Sequence, residues 1–281
     1  RNGARSVMSR VQVRGCGTAL VAPFTPEGKL DHSAFRALVD WQIDQGIHFL
    51  VPCGSTGEAA TLSLEEHLEV VSMTVEQAAG RVPVVAGVGG NDTAATVELA
   101  KVVSDQGASH LMVASPPYNR PPQRGLIAHF EAIADAVSVP ILLYNVPGRT
   151  ASNIAGKTTL ALAAHPNIVG IKEASGDMDQ ILEVILCRPD GFTVVSGDDP
   201  LTVQIMALGG DGVVSVVGNA VPRLMSQLTE AMDRADLPGA RELMATLEPI
   251  MIAAFIESNP IPMKAALAEL GRMSDTMRLP L

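Results

Sequence analysis

Along the chain, short runs of Val, Ile and Leu alternate with longer stretches in which apolar residues return every three or four positions, and Gly, Pro, Asn and Asp punctuate the joins. The short runs read as eight strands: Cys16 to Ala22, His48 to Cys53, Val82 to Val88, His110 to Ser115, Val139 to Val146, Ile168 to Glu173, Phe192 to Ser196 and Gly212 to Val217. They are almost continuously apolar, so both faces of the sheet are covered, as in parallel sheets joined by crossover helices. Helix starts are marked between them. Ser63 with Glu66 makes a capping box, and Asp199 before Pro200 reads as an N-cap with proline in the first turn. Eight β/α units without a Gly-rich dinucleotide fingerprint predict an α/β fold of the closed (β/α)8 TIM barrel type rather than an open doubly wound sheet.

The pattern assigns residues 14–221 to the barrel and 222–281 to a closing helix and a small C-terminal helical extension, one structural unit with the barrel. Helical stretches there run from Pro222 to Arg234, Gly239 to Phe255 and Pro262 to Leu270, and Asp236 to Gly239 reads as a turn, not a linker. The start, Arg1 to Val13, is set aside from the fold. It has no apolar segment to act as a signal peptide, although its basic, Ser-containing character leaves the stub of a transit peptide open.

Composition narrows the picture. The chain is 47% hydrophobic with only 3% aromatic residues, so aliphatic side chains must build the core. A net charge of −10 without a basic face argues against a nucleic-acid partner. No apolar run approaches the roughly 18 residues of a membrane span, so no membrane partner is expected. Cys16, Cys53 and Cys187 are scattered, which fits neither a disulfide framework nor a zinc site and places the chain in a reducing compartment, the cytoplasm. His32, His48, His67, His110, His129 and His165 show no metal-ligand spacing.

In such a barrel the reactive groups gather at the C-terminal ends of the strands. Lysine is scarce, with Lys29, Lys101, Lys157, Lys172 and Lys264 in all, and only Lys172 ends a buried strand. Desolvation favours the uncharged amine of a lysine, the form that attacks a carbonyl. The structural alternative is a buried ion pair of Lys172 with Glu173 or Asp198, and position alone leaves both open. Both tyrosines, Tyr118 and Tyr144, fall at strand ends, where a phenol can relay protons or simply pack. The loop Gly54-Ser55-Thr56-Gly57-Glu58 joins a strand to a helix and reads either as an anion cradle or as a capped turn. Arg149 is either a carboxylate clamp or a member of a surface ion pair.

Taken together, Gly170-Ile171-Lys172-Glu173-Ala174-Ser175-Gly176, Tyr144-Asn145-Val146-Pro147-Gly148-Arg149-Thr150 and the Gly54 to Glu58 loop resemble the dihydrodipicolinate synthase family, within the superfamily that includes N-acetylneuraminate lyase. The likeness runs from about Gly17 to Leu279. It implies a lyase of lysine and diaminopimelate biosynthesis that condenses pyruvate with L-aspartate 4-semialdehyde without metal or organic cofactor. By the same resemblance Lys172 forms the Schiff base, Tyr144, Ser55 and Tyr118 relay protons, and Tyr118 reaches into a neighbouring subunit's site. Thr56 contacts the pyruvate carboxylate, Gly197 and Val214 line the pocket, and Arg149 holds the second substrate's carboxylate. A homotetramer made of tight dimers is implied, as is a further helix beyond Pro280.

Ser55 departs from the threonine usual in the synthases and is more familiar from the sialic-acid lyase branch, whereas Arg149 speaks for the synthases. The competing readings are a pyruvate-dependent aldolase of the N-acetylneuraminate lyase or 4-hydroxy-2-oxoglutarate aldolase kind, and a non-catalytic paralogue that binds a small molecule. Where the family is inhibited by lysine, the site is a polar cleft at the tight-dimer interface. His67 and Asn91 match that cleft, but Ala59, Leu64, Ala95 and Pro117 replace its polar or aromatic contacts. Free lysine is therefore expected to inhibit weakly or not at all in a steady-state assay, and potent inhibition would contradict this reading.

Overall fold

The computed structural model describes residues 13–281. Of the segment set aside above, residues 1–12 lie outside the described residues, while Val13 is buried in the barrel interior. Eight parallel strands form the sheet: β1 (Gly15–Ala19), β2 (Phe49–Val51), β3 (Val85–Val88), β4 (His110–Ala114), β5 (Ile141–Asn145), β6 (Ile168–Glu173), β7 (Thr193–Ser196) and β8 (Gly212–Ser215). Their order is β2-β1-β8-β7-β6-β5-β4-β3, and a parallel bridge between Leu50 and Val84 joins the two ends. The sheet therefore closes into the (β/α)8 barrel that the sequence predicts. All eight expected strands are present, most of them shorter at one or both ends than the apolar runs, because the flanking apolar residues continue into the packed loops.

The crossovers carry α1 (His32–Asp44), α2 (Leu64–Ala78), α3 (Thr93–Ser104), α4 (Gln123–Ala136), α5 (Pro147–Thr150), α6 (Gly156–Leu162), α7 (Met178–Cys187) and α8 (Thr202–Ala207). Ser63 and Glu66 make the expected capping box at the start of α2. Asp199 is a correction. It caps no helix, because its carboxylate is buried and accepts the N–H groups of Val216 and Val217 at 2.9 and 3.1 Å, tying the end of β7 to the end of β8. Burial raises its pKa, and these donors pull the other way.

Strand alternation divides the apolar residues between two cores. Outward side chains such as Leu50, Leu111, Leu143, Ile171 and Val194 pack under the helices. Inward ones, including Ala19, Phe49, Val51, Met112, Leu142, Val195 and Val214, fill the barrel. Few aromatic residues serve this interior, and Gly17 makes room for one of them, since a Cβ there would overlap the Phe49 ring.

One irregularity decides what faces the barrel axis. Ile141 pairs with Ile168, but Leu142 pairs with Gly170, so Val169 is an extra residue in β6. Ile168 and Ile171 both belong to the outer core, three positions apart, which unbroken alternation forbids. The bulge resets the parity, and Lys172 consequently points inward beside Tyr144, its register partner on β5.

After β8 come α9 (Pro222–Asp233), α10 (Leu237–Ala253) and α11 (Ile261–Glu269), with Asp236 capping α10 through the N–H of Gly239. The segment between α10 and α11 crosses the C-terminal mouth of the barrel, where Phe255 and Asn259 join the cavity wall. Beyond α11, Arg278 reaches back to α2 and donates to both carboxylate oxygens of Glu66, one at 2.7 Å. This guanidinium holds the Glu66 carboxyl down at about 2, against an ordinary value of 4.5. A depressed carboxylate contributes stability that is fully present above pH 4.5 and is lost as pH falls toward 2. The stability gap between wild type and Arg278→Met, measured by urea unfolding, is expected to be full above that upper value and to shrink steadily below it.

Candidate active site

Lys172 is only 5% exposed and sits in a cavity of about 370 Å³ at the C-terminal mouth of the barrel. Its Nζ lies 4.0 Å from the centre of the Tyr144 ring. Among the described residues it has no hydrogen-bond or ion-pair partner. Glu173 cannot supply one, because its neighbouring position on the strand turns it outward. There its carboxylate accepts from Asn145 Nδ2 at 3.0 Å, the Ser175 N–H at 2.8 Å and Gln180 Nε2 at 3.2 Å. Burial raises the Glu173 pKa, opposed by those donors. Asp198 lines the cavity, its pKa also raised by burial, but forms no ion pair among the described residues. The structural alternative for Lys172 is thus not what the chain builds.

Opposite stands the loop after β2. Two non-glycine residues in the left-handed region, Cys53 (φ 57°) and Glu58 (φ 51°), bend it sharply. The N–H groups of Gly57 and Glu58 are satisfied within the turn by the carbonyls of Gly54 and Ser55, both at 3.1 Å. Those of Ser55 and Thr56 have no protein acceptor among the described residues. The expected direct junction with a helix start is absent, since a short 3-10 turn, Ala59–Thr61, intervenes and Ser63 caps α2 separately. Any anion here is therefore met by two free amides and two hydroxyls rather than by a helix terminus. Ser55 is exposed to the cavity, while Thr56 is buried and its Oγ1 accepts from Asn259 Nδ2 at 2.8 Å.

Arg149, in the short helix α5, lines the same cavity. It forms no ion pair among the described residues. Its Nη2 donates to the Asn259 carbonyl at 3.2 Å, so the rest of the guanidinium fork is left without a protein partner there. Gly197 packs directly on the lysine stem, where a Cβ would lie 2.9 Å from Lys172 Cε and 2.7 Å from the Ala174 Cβ.

Two expected site residues are not brought to the cavity. Val214 is packed deeper in the barrel with Phe49 and Val195, and Val216 takes the place in the wall. Tyr118 is 87% exposed with φ 68°, its N–H donating to the Thr150 carbonyl at 3.1 Å, and it lies outside the cavity of its own chain. Conversely, sequence reasoning missed Asn259 and Phe255, which lie far along the chain. The polar Asn259 set before Pro260 and Pro262 was the available signal. A second groove, of about 710 Å³, extends from Ser55, Tyr144 and Arg149 past Ala59, Leu64, His67 and Pro117 to Leu281. Three of the four apolar replacements named above thus line it, whereas Ala95 and Asn91 stand outside.

An α/β barrel whose mouth holds an unpaired lysine, a phenol, two hydroxyls and a guanidinium is equipped as an amine-nucleophile enzyme for small carboxylated carbonyl compounds. The chain matches the Dihydrodipicolinate synthetase family over residues 12–281. It is 52% identical over 272 residues to the 4-hydroxy-tetrahydrodipicolinate synthase of Koribacter versatilis (strain Ellin345), covering 96% of this chain and 91% of that one. The crystal structure of dihydrodipicolinate synthase from Aquifex aeolicus superposes with a TM-score of 0.94 at 42% identity, over 96% of this chain and 92% of that chain. The chloride-inhibited dihydrodipicolinate synthase of Acinetobacter baumannii, complexed with pyruvate, gives 0.94 at 41% identity, over 96% and 93% of the two chains. This chain belongs to the dihydrodipicolinate synthetase family. Gly197→Ala, which drives a methyl group into the lysine stem, is expected to lower kcat/KM by about 10²-fold through misplacement of the amine. Unaltered kinetics would show that the stem has room to spare.

Proposed function

We propose that this chain condenses pyruvate with L-aspartate 4-semialdehyde to 4-hydroxy-tetrahydrodipicolinate, in lysine and diaminopimelate biosynthesis, through a Schiff base at Lys172. The observation that carries this reading is the buried amine of Lys172, unpaired among the described residues and set against the Tyr144 ring in an open cavity. The amine attacks the keto carbon and water leaves, giving an imine. Loss of a methyl proton turns the imine into an enamine, whose carbon adds to the aldehyde. The amino group of the second substrate then attacks the imine carbon, closes the ring and releases Lys172.

Each transfer needs a proton carrier, and Tyr144, Ser55 and Tyr118 supply the hydroxyls, at a worth of roughly 10²- to 10⁴-fold in rate. Tyr118, exposed on its own chain, serves the site of a neighbouring subunit in a homotetramer built from tight dimers. Thr56 and the free amides of its loop receive the pyruvate carboxylate, Arg149 receives that of the semialdehyde, and Gly197 shapes the space around Lys172. The protonated imine formed on Lys172 is itself the electron sink, so the steps use no metal or organic cofactor. No helix among the described residues is long and apolar enough to cross a membrane. The enzyme acts in the cytoplasm, where its small, charged substrates are dissolved.

Incubation with pyruvate and borohydride, followed by peptide mapping, is expected to place the stable adduct on Lys172, and an unmodified Lys172 would refute the role. Arg149→Ala is expected to retain that adduct while losing activity with aspartate semialdehyde by about 10- to 100-fold, the worth of a charged hydrogen bond. Full semialdehyde activity in this variant would refute the role of Arg149, and a wild type that cleaves sialic acid but does not turn over the semialdehyde would favour the lyase branch instead.

A further inference from the structure

Two tethers run from one short stretch of the C-terminal extension to the loop that carries Ser55 and Thr56. At one end Asn259 Nδ2 donates to Thr56 Oγ1 at 2.8 Å, with the two residues only 5% and 3% exposed. At the other, Lys264 Nζ donates to Glu58 Oε1 at 2.6 Å, and both side chains are fully buried. The second Glu58 oxygen accepts the Arg278 N–H at 3.2 Å. Asn259 and Lys264 are themselves coupled, because the Lys264 N–H donates to the carbonyl of the intervening Pro260 at 2.9 Å in the first turn of α11.

Each tether has a consequence for the loop. A hydroxyl offers one donor and two acceptor positions. With an Asn259 N–H occupying an acceptor position of Thr56, the threonine proton is left to be given elsewhere, and the cavity beside it is where a carboxylate would take it. Asn259 Oδ1 is buried with no hydrogen-bond partner, so it does not compete for that proton. Glu58, for its part, holds a left-handed backbone conformation that a non-glycine residue keeps only when its surroundings impose it. A buried ion pair adds little net stability over an apolar pair of the same volume, yet its demanding geometry fixes register.

We propose that Asn259 and the Glu58–Lys264 pair are positioning residues for the pyruvate half of the reaction. Asn259 aims the Thr56 proton at the keto-acid carboxylate, and the ion pair holds the loop end that presents Ser55 and Thr56. This inference rests on the function proposed above.

The test is the pyruvate dependence of borohydride trapping without any aldehyde, together with thermal unfolding of each variant. Single substitutions in the ion pair leave an uncompensated buried charge and threaten folding, so the double variant Glu58→Leu/Lys264→Met is used. Asn259→Ala, which removes one side chain at the loop, provides an independent arm. Both are expected to fold and to raise the half-saturating pyruvate concentration about tenfold or more, the loss of one hydrogen bond to a charged group, with the same final yield of adduct. Asn259→Asp, nearly isosteric but able to capture the Thr56 proton, is expected to raise it further than alanine does. In the double variant the KM for aspartate semialdehyde at saturating pyruvate is expected to stay within about twofold, since Arg149 and the Asn259 carbonyl that receives it are both left in place. Folded variants that trap pyruvate at the wild-type concentration would reduce the tethers to packing and overturn the proposal. A wild type that traps no pyruvate at all would instead overturn the proposed function, and the positioning roles with it.

Discussion

Everything chemical in this barrel depends on which way one strand position faces. Strand side chains alternate, and a slip of one residue carries a side chain from the axis to the helix layer. In β6 the extra residue Val169 performs such a slip between Ile168 and Gly170. It leaves Ile168 and Ile171 both in the outer core and turns Lys172 inward. The same parity sends Glu173 outward to Asn145, Ser175 and Gln180, so the nearest carboxylate on the strand is removed from the amine and satisfied elsewhere. An amine so placed is buried and, among the described residues, has no carboxylate bound to it.

The barrel supplies the amine, but much of the mouth is shaped by the polypeptide that follows it. Phe255 and Asn259 reach the cavity from the segment between α10 and α11, Lys264 enters from α11, and Arg278 returns to Glu66 and Glu58. These contacts converge on the loop after β2, whose left-handed residues Cys53 and Glu58 need such support. The extension thus belongs to the working end of the molecule rather than to its periphery.

Much of this was legible in the chain. Apolar runs of strand length, repeated eight times between helical stretches, mark a parallel barrel because each strand must be covered on both faces. Lys172, Tyr144, Arg149 and the Ser55-Thr56 loop stood out because the polar residues of such a barrel collect at strand ends. What could not be read is of another kind. A bulge of one residue within Ile168-Val169-Gly170 has no compositional mark, and the partner choices of Asp199 and Lys264 are settled by contacts made across the fold. Asn259 pairs with Thr56 across 203 residues, beyond the reach of any local pattern. Tyr118 ends up exposed and outside its own chain's cavity, a placement that its position after a strand does not announce.

The chemistry proposed above needs the Lys172 nitrogen free and near enough to a keto carbon to bond with it. The most direct measurement is a crystal structure of this chain soaked in pyruvate without reductant. Continuous density is expected from Lys172 Nζ to the second carbon of pyruvate, with the carboxylate against Ser55 and Thr56. Pyruvate lying unbonded in the cavity, or Lys172 turned away into an ion pair, would contradict it.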